Sequence, residues 1–196
     1  MPIREKLFDF AYGAGLHDAT AQKAYQQSQK RILYQNHEAK AIVKAYLDAI
    51  LDEQPSDFYT TADSVVSSFR RFEKERGLPE RFSFGNAQKL INITVKFMYL
   101  AAYLNHSEMR KKFSTCHCPL DRKMGEFVAE ELKKRKADKS LPKNLQELLQ
   151  SGRYTVFSGT WSRITEEDYR LYQASVCYLA KAEGVIPIEY DYLHFS

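Results

Sequence analysis

An all-α fold is what this sequence predicts, and three observations carry the prediction. Stepping 100° per residue along Phe84–Leu104, the apolar residues Leu90, Ile91, Ile93, Val95, Phe97, Met98, Leu100, Ala101, Ala102 and Leu104 occupy more than half the circumference. Such a helix must be packed on several sides and belongs at the centre of the molecule. Other segments keep helical spacing between cap residues and glycine or proline breaks, as Phe58, Val65, Phe69 and Phe72 do before Gly77, Leu78 and Pro79. No stretch of any length alternates with the period of a strand.

Taken in order, residues 3–12 predict a short helix ended near Gly13 and Gly15. Asp18 or Thr20 is then placed to cap a long helix reaching about Glu53. Its early turns hold Gln22, Gln26, Gln27 and Gln29, read either as a solvated face or as amides for a base edge. Ser56 or Asp57 caps the next helix, which stops at Gly77. Asn86 is expected to cap the central helix. Arg110, Lys111 and Lys112 then lead a loop to Pro119, and Asp121 opens a helix through about Lys136. The run Lys133–Lys136 reads as a solvated helix end, cations being favourable there, or as a nucleic-acid patch. Pro142–Gln150 predicts a short helix and Arg153–Ser158 an irregular loop. Glu166–Glu183 predicts a long helix ended by Gly184, and a last helix starts near Pro187.

A chain of 196 residues that is 44% hydrophobic and 13% aromatic can bury a real core, which excludes disorder. We expect residues 1–196 to form a single all-α domain, divisible into two helical lobes with an active cleft between them. The net charge of +4, from 29 basic and 25 acidic residues, is compatible with a polyanion but too small to identify one. Cys116, His117 and Cys118 lack a CxxC spacing or a second pair to complete a zinc site, and Cys177 stands alone. Reduced thiols, no metal and no cofactor are therefore expected. The charged residues of Met1–Lys6 and the lack of a long apolar run predict a cytoplasmic protein with no membrane partner, acting as a monomer.

The polar remainder of the central helix is Lys89, Asn92, Lys96, Tyr99 and Tyr103, a candidate cleft wall. Near a helix N-terminus and close to Lys96, Lys89 is disfavoured as an ammonium ion, which suits an amine nucleophile able to form a Schiff base. The alternative is a lysine reaching from the helix end into water. Asp121 reads as an N-cap, and a carboxylate held ionised by helix amides can also stabilise an oxocarbenium-like sugar cation. Gly85 and Asn86 stand at a helix N-terminus, where exposed amides can hold phosphate.

Three places together give the chain its resemblance to the helix-hairpin-helix DNA glycosylase superfamily, most of all to the archaeal 8-oxoguanine DNA glycosylases. Gln88-Lys89 with Lys96 matches the family's nucleophile helix. Pro119-Leu120-Asp121-Arg122, with Asp121 lying 32 positions after Lys89, matches its catalytic aspartate motif. Tyr169, Gln173, Gly184, Pro187 and Asp191 match its C-terminal pattern. The resemblance spans about residues 84–195 and does not extend over residues 1–80.

That resemblance implies a DNA glycosylase, with or without β-lyase cleavage, that removes a damaged or modified base of the 8-oxoguanine type. By it Lys89 is the nucleophile and Asp121 the residue that activates it and stabilises the sugar cation. Gln88, Asn92, Ile93, Lys96, Asp191 and Phe195 belong to the substrate side. Trp161 either lines the pocket or packs the core. Ile93 and Phe195 replace the family's aromatic stacking residue and pocket tryptophan, so the base is expected to be held differently. Two other expectations stand beside this one. One is a phage-defence glycosylase excising a hypermodified viral base such as glucosylated hydroxymethylcytosine. The other is a non-catalytic helical protein that binds DNA backbone.

Overall fold

The computed structural model describes residues 3–21, 25–103 and 108–194, and all the regular structure among them is helical. The all-α prediction is met. The chain divides into two compact units, Met1–Phe113 and Ser114–Ser196.

The first unit is built from α1 (Ile3–Ala19), α2 (Gln27–Leu33), α3 (His37–Leu51), α4 (Phe58–Glu75), α5 (Phe84–Tyr103) and the single turn α6 (Met109–Lys112). At its centre is α5, which packs most extensively on α1 and also touches α4 and α6. Leu90, Ile91 and Val95 are buried, as the spread of apolar residues around this helix requires. The expected stop at Gly13 and Gly15 is corrected, because α1 runs through both glycines to Ala19. Gly15 serves an interhelical contact, since a Cβ there would lie 2.7 Å from the Leu90 carbonyl oxygen and from Thr94 Oγ1. Only a residue without a side chain lets the two backbones approach this closely.

Three contacts fix the α1–α5 register. Phe10 meets Phe97 edge-on with centroids 5.7 Å apart, Gly15 lies against Leu90, and Asn86 Nδ2 donates to the Ala19 carbonyl at 2.6 Å. The helices are therefore antiparallel. The single long helix expected from Asp18 or Thr20 to Glu53 is also corrected. It is two helices, with Gln26 and Gln29 in a reciprocal capping box at α2 and Asn36 accepting from Ala39 N at the start of α3. Gln22 lies outside the described residues. Asp57 caps α4 as expected, and that helix ends just before Gly77, whose φ of 66° is glycine's territory.

The entry into α5 is held by Glu73. Its buried carboxylate accepts from Tyr25 Oη at 2.9 Å and from the backbone N–H groups of Arg81 and Phe82 at 2.9 and 3.2 Å. Phe82 stacks on Phe69 at 3.9 Å. A carboxylate satisfied by three donors in the interior offsets its own desolvation and ties the loop to α4. Burial and the Glu73 charge together hold the Tyr25 hydroxyl well above the usual tyrosine range.

The second unit holds α7 (Arg122–Lys134), α8 (Lys143–Ser151), α9 (Glu166–Ala182) and α10 (Pro187–His194). The segment expected as an irregular loop is a 3-10 helix over Arg153–Ser158, and a second 3-10 turn covers Trp161–Arg163. The carbonyl of Phe157 sits over Gly125 so closely that a Cβ there would overlap it, at 1.9 Å. Gly184, at φ 72°, ends α9, with Val185 N donating to the Ala180 carbonyl. The basic run after α7 is a solvated helix end in which Lys134 and Arg135 both reach Glu131. Among the described residues, no helix is long and apolar enough to cross a membrane.

Candidate functional site

Lys89 lies in the second turn of α5, not the first. The helix begins at Phe84, and Ser83 stands at its cap. Asn86 N donates to Ser83 Oγ at 3.2 Å, and Ser83 N donates back to Asn86 Oδ1 at 2.9 Å. This reciprocal pair is a capping box with Ser83 at the cap, which corrects the expectation that Asn86 itself is the cap. With its Nδ2 on Ala19, the Asn86 side chain is spent on internal bonds and is 4% exposed; Gly85 is buried as well. The phosphate contact was expected of the backbone amides here, and the Asn86 N–H is already taken up by Ser83 Oγ.

Lys89 itself is 4% exposed, and its Nζ lies 3.5 Å from Asp18 Oδ2. The lysine does not reach into water. Its partner is half exposed, one turn beyond Gly15 on α1, so the same register that brings Gly15 against Leu90 delivers Asp18 to Lys89. Along α5, Asn92 Nδ2 donates to Gln88 Oε1 at 3.2 Å, and both residues are enclosed. Tyr99 is buried against Phe113 with centroids 5.2 Å apart. The strip expected as a continuous polar wall is thus closed at Asn92 and Tyr99, while Ile93 and Lys96 stay half-buried beside Lys89's face. The side chain of Tyr103 lies outside the described residues.

In the second unit Asp121 caps α7, its Oδ1 accepting from Met124 N at 2.9 Å, and it remains partly exposed. The segment that delivers it is clamped by α9. Gln173 reads the Cys118 backbone in both directions, accepting from its N–H at 3.1 Å and donating to its carbonyl at 2.6 Å. Tyr172 Oη donates to the Pro119 carbonyl at 3.1 Å, and His117 Nδ1 lies 3.3 Å from Tyr169 Oη. Leu120 is fully buried. A capping carboxylate on so constrained a segment is preorganised, with a helix N-terminus behind it.

Burial first, then Cys118 and Asp191 nearby, hold the Tyr172 hydroxyl well above its usual 10.0. Burial likewise pushes the Cys116 thiol up to about 12, so it is a packing residue and not a reactive one. Asp191 is 1% exposed on α10. Trp161 is half-buried in its 3-10 turn, and Phe195 lies outside the described residues.

The structure therefore brings Lys89, Gln88, Asn92, Ile93 and Lys96 onto one helix of the first unit. It places Asp121, Trp161 and Asp191 in the second. The residue missing from the sequence reading is Asp18 as the neighbour of Lys89. No local signal announces it, because the two are 71 positions apart and meet only through the α1–α5 register. Comparison of the chain with protein-family models, with curated proteins and with solved structures finds no match in any of the three.

Proposed function

We propose that this protein is a DNA glycosylase in which Lys89 attacks the sugar of a damaged or modified nucleotide and Asp121 stabilises the cation that develops there. The observation that carries the proposal is the burial of Lys89. A solubilising lysine sends its amine to water, whereas this one is 4% exposed and ends 3.5 Å from a carboxylate. Retaining a buried amine costs stability unless it is paired, and such sites are often functional. The constrained Asp121 segment adds a second preorganised group of the right chemistry.

In this mechanism the Lys89 lone pair forms a bond to C1′ while the C1′–N bond breaks and its electrons leave with the base. The Asp121 charge lowers the energy of the oxocarbenium-like sugar in between. Oxidised guanine is the substrate that the resemblance suggests, and Ile93, half-buried one turn after Lys89, offers a base no aromatic ring to stack on.

The test is a panel of duplex and single-stranded oligonucleotides carrying 8-oxoguanine, other lesions, or glucosylated hydroxymethylcytosine, each incubated with the full chain and then treated with alkali. Strand scission at one modified base, lost in Lys89→Gln, is the expected result and also identifies the base. Tight binding to every oligonucleotide with no alkali-labile site in any of them would mean that the protein holds DNA without acting on it.

A further inference from the structure

We infer that Asp18 is the proton acceptor for Lys89, an inference that rests on the glycosylase reading above. Three features of the first unit point to this role. Asp18 Oδ2 is 3.5 Å from Lys89 Nζ, close enough to hydrogen-bond contact that a small side-chain rotation completes it. The lysine side chain is 5% exposed and the aspartate 46%, so the carboxylate joins an enclosed amine to the solvent side. The position of Asp18 is also fixed by the backbone, because Asn86 ties down the neighbouring Ala19 carbonyl at 2.6 Å and Gly15 locks the turn before it onto Leu90.

A lysine can act as a nucleophile only after shedding a proton, and an enclosed lysine must shed it to a neighbouring group. Asp18 takes that proton, the activating part that the resemblance gives to Asp121, while Asp121 keeps the stabilisation of the sugar cation. The freed lone pair forms the Nζ–C1′ bond as the C1′–N electrons leave with the base, and the base takes a proton from water. The hydroxide so formed removes a proton from the new secondary ammonium. Asp18 then returns its own proton to the sugar ring oxygen as the C1′–O4′ bond opens, leaving the protonated imine on Lys89. Asp18 ends as it began, so one carboxylate serves successive turnovers.

A duplex oligonucleotide with a single abasic site tests this without knowledge of the base, since its aldehyde reacts with the Lys89 amine directly and borohydride fixes the imine. The probe is applied to the intact chain and to Asp18→Asn, Asp18→Ala and Asp18→Glu, each first shown to melt cooperatively. Removal of the carboxylate is expected to slow trapping about 10²-fold, within the range of general base catalysis. Asp18→Glu is expected to recover most of the rate, and added sodium formate to accelerate Asp18→Ala but not the wild type. A purely structural role for Asp18 would not respond to formate.

If Asp18→Asn and Asp18→Ala trap as fast as the wild type, or if formate leaves a slow Asp18→Ala unchanged, the proton-acceptor role is overturned while the nucleophile stands. If the wild type binds the abasic duplex yet gives no adduct, the glycosylase reading falls and Asp18 falls with it.

Discussion

Asp121 caps α7, and under the proposed function the same side chain also stabilises the sugar cation; substitution can separate the two. Asparagine caps a helix about as well as aspartate, so Asp121→Asn is expected to keep stability within about 1 kcal/mol. It removes the negative charge, so base release is expected to fall about 10²-fold or more in single-turnover assays. Equal activity in the two proteins would leave the residue as a cap and nothing else. Lys96, half-buried two turns beyond Lys89, is the natural control. Lys96→Ala is expected to weaken DNA binding but to lower the single-turnover rate far less than Lys89→Ala. Equal damage would remove the division of roles. The capping position of Asp121 and the place of Lys89 on a buried central helix were legible in the sequence. The neighbours that surround them were not: Asp18 and Ser83 reach their places through helix register and cap choice, and a linear pattern does not carry either.

The α1–α5 pair shows what a glycine in a helix can mean. Gly15→Ala places a methyl 2.7 Å from the Leu90 carbonyl oxygen and forces the helices apart. The expected cost is about 1–3 kcal/mol, read as a lowered midpoint in chemical denaturation, whereas Gly13→Ala is expected to be neutral or stabilising because its nearest neighbour lies 3.9 Å away. Similar responses at the two positions would contradict the close-approach account. The sequence shows two helix-weakening residues and so reads a stop. The structure uses one of them to seat the helix that carries Lys89. The choice between Ser83 and Asn86 as cap was similarly beyond pattern reading, since both side chains cap well and here they cap each other. By contrast, the helices opened by Asp57, Asp121 and Pro187 and the breaks at Gly77 and Gly184 were all readable, because each relies on one residue with one strong local preference. On the α9 side, Gln173→Leu removes the two bonds that hold the N–H and the carbonyl of Cys118. It is expected to cost about 1–3 kcal/mol per buried group in denaturant titrations, and to slow base release by loosening the Asp121 segment.

Buried hydroxyls and a buried thiol are expected to make the fold less stable at alkaline pH. Tyr12, Tyr25 and Tyr172 are raised above 10.0 chiefly by burial, and Cys116 is raised from 9.0 to about 12 for the same reason. The unfolded chain releases these protons near pH 9–10 and the folded chain only at higher pH. Stability is therefore full below about pH 9 and falls as pH rises through 9 to 12. Melting temperatures followed by circular dichroism from pH 8 to 11 are expected to drop steadily above pH 9; a flat profile would contradict these burial assignments. Fold class was the most legible property at this scale, since helical periodicity without strand alternation leaves few other solutions. Covalent attachment of Lys89 to DNA is the central event of the proposed function. Borohydride trapping on an abasic duplex, followed by proteolysis and mass spectrometry of the adduct, measures that directly. The expected result is a sugar remnant on Lys89 and no adduct in Lys89→Gln, while duplex binding is kept. A remnant on Lys96 or any other amine, or undiminished trapping by Lys89→Gln, would contradict it.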